Sequence, residues 1–378
     1  MRIGIVTIHK SMVNYGACLQ CYALWKYLQQ GGHEVEVIDL LRPVQNGYKF
    51  CCDKNGLRQF YRLKIIANIR HSINILRSKA YRTRIKNYND FNNLISYSKT
   101  YRNHEEITKQ PPVYDIYLSG SDQIWNPYMP FNNLPYLLSF VSSDKQKIAY
   151  ASSFAVNNIP SECIETYKTL LSQYTSLSTR ENGGRDIVYT LLNKKIPVVL
   201  DPVFLLSKDA WDNVRDKAYC VNENYVLLYS LHLNQELINL GKRIANEMQC
   251  KLYIVTAGFY KYKSLNGMEY LTDVGPAQWL NLICNTKLFL TNSFHGTAFA
   301  ILLKKPFISC IDKKAKMNDR IFTLLHKLGY EDHLLDVECI TDENNILLKK
   351  AHSFTIDNEV LLRKEIEMSI NYLNKAIN

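Results

Sequence analysis

A short polar segment in the second half of the chain carries the residue best suited to proton transfer. It lies between the apolar residues 288–290 and 297–303, and Pro306 follows the second of these runs. The pattern predicts a buried strand, a tight turn over 291–296 and then a helix, so His295 is expected in the turn. An imidazole titrates near neutral pH, and turns at the carboxyl ends of strands bind ligands in open α/β sheets. His295 is therefore an expected catalytic residue.

Other polar side chains also follow predicted strands or begin predicted helices. Arg180 and Glu181 come directly after the strand 175–178, and Arg320 lies in the first turn of the helix 318–328. Guanidinium groups and free helix N–H groups bind carboxylates and phosphates, and a carboxylic acid can pass a proton to a substrate. These patterns predict three catalytic residues, His295, Asp122 and Glu181, and a substrate-binding set of Asn14, Tyr15, Gly16, Ser121, Gln123, Arg180, Asn292, Ser293 and Arg320.

Each of these residues also has a structural interpretation that the sequence leaves open. His295 could bridge backbone groups of its turn, and Arg180 could pair with a nearby carboxylate such as that of Asp201. Arg320 could be a surface arginine at a helix start, and small polar residues in turns often satisfy local backbone groups. The positions of the residues in the fold must separate the two interpretations.

The elements that must position these residues alternate between strand and helix. In the first half, residues 2–8, 17–28 and 34–40 predict a strand, a helix and a strand. The second half repeats the pattern, with a strand over 225–230 and a helix over 235–248. Because every strand is followed by a helix, the sequence predicts an α/β fold with parallel, helix-covered sheets.

A chain of 378 residues is long for one hydrophobic core, so two domains are expected. The turn at Asp201-Pro202 is the natural boundary. It gives an N-terminal Rossmann-like domain over 1–201 and a C-terminal Rossmann-like domain over 202–354. Residues 355–378 include a terminal helix that is expected to pack back on the first domain.

The first domain carries a basic helical insertion over 42–109. Between residues 49 and 109 there are fourteen Lys and Arg residues against four Asp and Glu residues, together with an isoleucine-rich apolar face. One interpretation is a solvated helical excursion that packs on the domain. The other is a basic surface for an anionic membrane or a diphosphate-linked acceptor. Nucleic acid is not an expected partner, because no nucleic-acid-binding motif accompanies the charge.

The whole chain is basic, with a net charge of +11, which favours anionic partners without choosing among them. The first residues predict a strand rather than a signal peptide, and no run of about twenty residues is continuously apolar. The expected location is therefore cytoplasmic, peripheral at the inner face of the membrane, with reduced cysteines.

Three other kinds of chemistry have only weak signals. Cys18 and Cys21 form a C-x-x-C on a predicted helix, but a compact thioredoxin-like domain is missing around them. Cys51 and Cys52 are adjacent and poorly spaced for zinc, and there is no Asp-x-Asp to hold a divalent metal. The turn after the first strand lacks the G-x-G-x-x-G spacing of a dinucleotide site. Neither a metal nor a cofactor is expected.

Five motifs, in order along the chain, resemble those of the polysaccharide pyruvyl transferase family. The resemblance extends to about residue 335 and depends on the order of the motifs more than on any one of them. The motifs are Asn14-Tyr15-Gly16-Ala17-Cys18-Leu19-Gln20, the stretch from Tyr114-Asp115 to Pro127 with a Ser-Gly-Ser-Asp-Gln-x-Trp-Asn-Pro core, Ser178-Thr179-Arg180-Glu181, Leu200-Asp201-Pro202-Val203, and Thr291-Asn292-Ser293-Phe294-His295-Gly296.

The resemblance implies two Rossmann-like domains facing across a cleft, a glycosyltransferase-B-like arrangement. It also implies transfer of pyruvate from phosphoenolpyruvate, as co-substrate, to a sugar as a ketal. Phosphoenolpyruvate carries a carboxylate and a phosphate, which Arg180, Arg320 and the turns at 14–16 and 291–296 could bind. The expected acceptor is a hexose of a cell-surface polysaccharide precursor on a lipid diphosphate carrier. The insertion over 42–109 is the part least typical of the family.

Two other functions fit the same architecture. A nucleotide-sugar-dependent glycosyltransferase would bind a sugar nucleotide in the second domain and ignore phosphoenolpyruvate. A non-catalytic scaffold of a polysaccharide assembly complex would keep the fold and the basic surface, and it would tolerate the loss of His295 and Arg180.

Overall fold

The strands of the protein form two separate sheets in which all neighbouring strands are parallel. Parallel strands need crossover connections, and helices provide most of them. The computed structural model describes residues 1–10, 14–41, 78–129, 133–231, 233, 235–257, 267–311, 319–336 and 358–378.

The N-terminal half of the chain builds the first sheet. Its elements are, in chain order, β1 (Arg2–Val6), α1 (Tyr15–Gln30), β2 (Glu34–Val37), α2 (Lys79–Asn92), α3 (His104–Lys109), β3 (Ile116–Ser119), β4 (Gln146–Ala149), α4 (Ile164–Leu171) and α5 (Asn182–Leu192). The strand order is β2-β1-β3-β4. Single parallel bridges from Ile148 to Ser176, from Ser152 to Thr179 and from Thr179 to Val198 continue the sheet. These bridges stand where the sequence predicts full strands at 175–178 and 198–200.

The C-terminal half builds the second sheet. Its elements are α6 (Lys208–Asp212), β5 (Tyr225–Ser230), α7 (Gln235–Glu247), β6 (Lys251–Thr256), β7 (Met268–Tyr270), α8 (Pro276–Asn285), β8 (Leu288–Thr291), α9 (Phe294–Leu302), β9 (Phe307–Ile311), α10 (Asp319–Leu328), β10 (Leu334–Asp336) and α11 (Glu359–Ile377). The strand order is β10-β9-β8-β5-β6-β7. β5, β6, α8 and α11 have the bounds that the apolar periodicity predicts, because each is a long, regular segment with clear ends.

The helix that carries His295 begins three residues earlier than the sequence predicts. α9 starts at Phe294 because the Ser293 side chain accepts a hydrogen bond from the Gly296 N–H at 3.3 Å and caps the helix. His295 therefore lies in the first turn of α9, and the prediction that placed it in the preceding turn was wrong. Its side chain is consequently held by a helix rather than by a loop.

The described part of the insertion is helical and reaches the second half of the molecule. Residues 42–77 lie outside the described residues, and the remainder contains α2 and α3. The Arg84 guanidinium on α2 donates to the carbonyl oxygens of Thr256 and Ala257, at 3.2 and 2.8 Å, at the carboxyl end of β6. The described part of the insertion therefore contacts the second sheet through α2.

The terminal helix α11 follows the second sheet in the chain and contacts the first. The Tyr372 hydroxyl donates to the carbonyl oxygen of Ala149 in β4 at 2.9 Å, and Ser369 Oγ accepts from the Leu200 N–H at 2.9 Å. These bonds attach the C-terminal helix of the chain to its N-terminal half. Within the described ranges, no helix, α11 included, is long and apolar enough to cross a membrane.

An aromatic cluster fixes the start of α1 against the second half of the molecule. The fully buried Tyr15 ring stacks on Trp279 of α8, with centroids 5.3 Å apart and ring planes 3° from parallel. Its hydroxyl donates to the carbonyl oxygen of Val274 at 3.1 Å. Aromatic pairs of this kind contribute about 0.5–1.5 kcal/mol beyond the area they bury. The cluster therefore sets the position of the N-terminus of α1 relative to α9.

Candidate functional site

A buried cluster of charged side chains lies among segments that follow strands of both sheets. The Arg180 guanidinium is its centre, with Nη1 2.6 Å from Asp201 Oδ2 and Nη2 3.0 Å from Asp122 Oδ1. Its Nε is 3.9 Å from Glu181 Oε2. The Arg180 side chain is 0% exposed, and a charge so deeply buried is stable only when it is paired. The three carboxylates and Arg180 thus form one ion network.

His295 reaches this network from the second sheet. Its Nε2 lies 3.4 Å from Arg180 Nη1 and 3.4 Å from Asp201 Oδ2. On its other side, the imidazole packs so closely on Gly16 of α1 that a Cβ there would overlap Nδ1. The ring is 4% exposed and is held between the ion network and the start of α1.

Asp201 is the member of the network that sequence reasoning missed. From the sequence, Asp201 was interpreted as a domain boundary and as one structural partner for Arg180. It was not predicted as a site residue. In the structure, Oδ2 contacts Arg180, His295 and the Ser121 hydroxyl, the last at 3.1 Å, and Oδ1 accepts from the Val203 N–H at 3.2 Å. Its place directly after a predicted strand, inside one of the five motifs, was the signal that could have identified it.

Arg320 is the second buried arginine of the site, and its partners differ from those of Arg180. Both guanidinium groups lie near the Phe294 ring, with Cζ 4.4 Å from the centroid for Arg180 and 6.0 Å for Arg320. When the Gln123 amide is oriented with its oxygen toward Arg320, that oxygen accepts from Nη1 at 3.0 Å and from Nη2 at 3.2 Å. Arg320 is 8% exposed, and its Nε has no acceptor among the described residues. A buried guanidinium on a neutral amide can still bind an anion.

The pKa values of the cluster follow from these partners. Burial raises the pKa of Glu181 above its ordinary value. Burial alone would also raise the pKa of Asp122, but the surrounding positive charges, that of Arg180 first among them, together outweigh burial and lower that pKa. Burial and the neighbouring Arg180 lower the pKa of Arg320 to about 10. Glu181 therefore holds a proton more readily than Asp122, and the charge of Arg320 is poorly compensated.

Several predicted substrate-binding residues organise the backbone around the cluster. Asn14 accepts from the Ala17 N–H at 3.3 Å and caps α1, as Ser293 caps α9. Asn292 accepts from the Leu231 N–H at 3.0 Å. Asn14, Tyr15 and Asn292 thus lie within three positions along the chain of Gly16 or His295. Ser121 contacts Asp201 of the ion network, while Gly16 contacts His295 and Gln123 contacts Arg320. Substrate binding by each of them stays a prediction.

The starts of several helices meet at the cluster. Gly16, His295 and Arg320 lie in the first turns of α1, α9 and α10, and α5 begins directly after Arg180 and Glu181. The first turn of a helix presents free N–H groups and the positive end of its dipole. In the described ranges, no three His, Cys, Asp or Glu side chains are placed to hold a metal ion. The arrangement can therefore bind a small anion and move a proton at His295.

Replacing Gly16 with alanine is expected to displace the His295 ring. The added Cβ would overlap the imidazole, and overpacking of this kind costs about 1–3 kcal/mol of stability. The melting temperature and the turnover rate should both fall. Gly31→Ala is the control, because Gly31 has φ of −72° and a Cβ there would come no closer than 3.3 Å to another atom. Equal behaviour of the two variants would contradict the packing of Gly16 on His295.

The two parallel sheets define the class of protein as a GT-B fold, shared by glycosyltransferases and epimerases. A protein from Listeria monocytogenes assigned as a UDP-N-acetylglucosamine 2-epimerase superimposes with a TM-score of 0.54 at 11% identity, over 94% of this chain and 91% of that chain. The UDP-GlcNAc 2-epimerase from Neisseria meningitidis, solved with UDP-GlcNAc, gives 0.53 at 10% identity, over 99% and 100%. At such identities the likeness shows the fold alone.

The sequence family is more specific than the fold. The family model of polysaccharide pyruvyl transferases matches residues 14–312, a range that contains all five motifs. The chain therefore belongs to the polysaccharide pyruvyl transferase family, and the resemblance found in the sequence is confirmed. Among the curated proteins, none matches the chain significantly.

Proposed function

We propose that the protein is a pyruvyl transferase that moves pyruvate from phosphoenolpyruvate to two hydroxyl groups of a hexose in a cell-surface polysaccharide precursor. The product is a cyclic ketal, and phosphate is released. The family supports the reaction class. The single observation that carries the proposal is the buried cluster in which two arginines and a histidine meet at helix starts.

The reaction can be written with all atoms and protons accounted for. A proton adds to C3 of phosphoenolpyruvate and makes a methyl group, while C2 gains oxocarbenium character. The first sugar hydroxyl attacks C2, the bond from C2 to the phosphate oxygen breaks, and the second hydroxyl closes the ketal. Of the two protons lost by the hydroxyls, one balances the new methyl group and the other leaves on phosphate. Such a sequence needs a positioned proton carrier and fixed positive charge.

Arg320 is the proposed ligand for the anionic groups of phosphoenolpyruvate. It is buried, its terminal nitrogens meet a neutral amide, and its Nε has no acceptor in the described part of the chain. The first turns of α1 and α9, with Gly16 and His295, add N–H groups and positive dipole ends. A compact molecule with a carboxylate and a phosphate fits this chemistry.

His295 is the proposed proton carrier, and Glu181 is its proposed partner acid. Glu181 Oε1 accepts from the Phe154 N–H at 2.8 Å and the Ala155 N–H at 3.3 Å, and burial raises its pKa. Asp122 is the less suitable acid, because Arg180 lowers its pKa and holds it as a carboxylate. The proposed reaction uses phosphoenolpyruvate as co-substrate and needs no metal or other cofactor.

The proposed acceptor is a sugar on a lipid diphosphate carrier at the cytoplasmic face of the membrane. The net charge of +11 favours an anionic surface, and α2 of the insertion exposes Lys79, Arg82 and Lys86. Contact would then be peripheral, through the segment 42–109. Nucleic acid has no part in the proposal.

A nucleotide-sugar-dependent glycosyltransferase is the second candidate function. The observation that favours it is the likeness of the fold to an enzyme solved with UDP-GlcNAc. A scaffold without activity is the third, and it would not need the buried charges of Arg180 and Arg320 to be maintained.

Calorimetric titration of phosphoenolpyruvate and, in parallel, of UDP-GlcNAc separates the three functions. We expect saturable binding of phosphoenolpyruvate that pyruvate and inorganic phosphate, added together, weaken by competition. Binding of UDP-GlcNAc alone would support the glycosyltransferase and overturn the proposal. Binding of neither molecule would leave the scaffold as the remaining function.

A further inference from the structure

We propose that Arg180 is a positioning residue that acts with Asp201 to hold the His295 imidazole, and that it does not bind the anionic substrate. The sequence predicted the same role, binding of the substrate anion, for Arg180 and Arg320. The geometry assigns different roles to the two arginines: Arg180 positions His295, and Arg320 binds the anion. The inference rests on the proposed function only where it concerns phosphoenolpyruvate.

The terminal nitrogens of Arg180 already have ionic partners inside the protein. Nη1 lies 2.6 Å from Asp201 and Nη2 lies 3.0 Å from Asp122, and all three side chains are at most 5% exposed. The Phe294 ring, 4.4 Å from Cζ, covers one face of the guanidinium. Burial alone would lower the pKa of Arg180, but Asp122 and Asp201 outweigh it and raise the pKa. A substrate anion would have to displace a buried carboxylate to reach Nη1 or Nη2.

The same two groups are the ones that face His295. Arg180 Nη1 and Asp201 Oδ2 each lie 3.4 Å from Nε2, so one atom of each residue contacts both its ionic partner and the imidazole. The planar guanidinium fork fixes these atoms in one geometry, which the rotatable ammonium group of a lysine cannot reproduce. The pair therefore sets the orientation of the ring and the charge that surrounds it.

Arg320 has the opposite surroundings, and it keeps capacity for a ligand. In the described ranges its terminal nitrogens meet the neutral Gln123 amide, whereas the terminal nitrogens of Arg180 meet two carboxylates. Burial and the charge of Arg180 lower its pKa to about 10, whereas the pKa of Arg180 is raised. The carboxylates of the protein thus neutralise the charge of Arg180, whereas the charge of Arg320 can pair with an anionic ligand.

The test compares Arg180→Lys with Arg320→Lys by calorimetry and by steady-state kinetics. Arg180→Lys is expected to lower kcat by about 100-fold and to change the Kd of phosphoenolpyruvate by less than about three-fold. Arg320→Lys is expected to raise that Kd by at least about ten-fold, since the bidentate contact is lost. A rise in Kd for Arg180→Lys as large as that for Arg320→Lys would overturn the proposal. Arg215→Lys, an arginine paired with Asp212 away from the cluster, is the matched control.

A second variant separates positioning from a general loss of structure. Asp201→Asn removes a negative charge 3.4 Å from His295, while Arg180, Asp122 and Arg320 remain around the ring. The NMR signals of the His295 ring, identified by their loss in His295→Asn, should shift in Asp201→Asn, because the imidazole loses one of the two groups that hold it. Unfolding of part of the protein would reduce the calorimetric stoichiometry but leave the His295 ring signals of the folded fraction unchanged. Unchanged His295 ring signals in Asp201→Asn would also overturn the proposal.

The two measurements also separate this inference from the proposed function. If wild-type protein fails to bind phosphoenolpyruvate, the proposed function is wrong, and the NMR spectra of Asp201→Asn still decide whether Asp201 holds the His295 ring. If wild-type protein binds phosphoenolpyruvate and Arg180→Lys does not, the function stands and the positioning role is wrong.

Discussion

Replacing His295 with asparagine is expected to lower the turnover of phosphoenolpyruvate by about 10³-fold, within the range that a positioned acid or base contributes. The ring is the imidazole that the ion network holds, with Nε2 3.4 Å from both Arg180 and Asp201. Binding should change little, because the proposed anion ligand, Arg320, is untouched. Steady-state phosphate release in the presence of acceptor, with the Kd from calorimetry, gives both quantities.

The control for His295→Asn is His326→Asn on α10. His326 has 77% of its side chain exposed and pairs with Glu331 at 2.7 Å, far less buried than His295. Exposed pairs contribute little, so we expect turnover and melting temperature to stay near those of the wild type. If His295→Asn keeps turnover within about three-fold, proton transfer by His295 is excluded, since removal of a general acid or base costs far more.

Replacing Arg320 with methionine is expected to raise the Kd of phosphoenolpyruvate by about 100-fold, as the loss of two charge-assisted hydrogen bonds predicts. The melting temperature should stay the same or rise. Arg320 is a buried cation without a close carboxylate among the described residues, and its lowered pKa, about 10, reports the cost of burying that charge. An apolar side chain of similar length removes this cost. Affinity and stability would thus change in opposite directions.

Arg215→Met is the comparison for Arg320→Met, and its expected effects on affinity and stability are different. Arg215 Nε lies 2.6 Å from Asp212, and Nη1 donates to Asn281 at 2.8 Å, so its loss leaves polar groups without partners. We expect a lower melting temperature and an unchanged Kd for phosphoenolpyruvate. A fall in melting temperature for Arg320→Met with no change in Kd would show that Arg320 stabilises the fold instead of binding the substrate.

Apolar periodicity predicted the α/β class of the fold and the bounds of several elements. The strands 225–230 and 251–256 and the helix 276–285 have the predicted bounds, because each is set by residues close in sequence. Two predictions that depended on side-chain hydrogen bonds or on weak pairing failed. The Ser293 cap moved the start of α9, and 175–178 pairs through a single bridge at Ser176 and not as a full strand.

By itself, the sequence determined the alternation of strand and helix, the family and the placement of His295 beside the carboxyl end of β8. Tertiary structure alone decided that Arg180 meets Asp122, Asp201 and His295, residues up to 115 positions away in the chain. Their distances depend on how the two sheets pack through α1, α8 and α11, and no local pattern encodes that packing. The tertiary structure also decided that Arg180, and not Arg320, is neutralised, because the carboxylates around a buried guanidinium come from other segments of the chain.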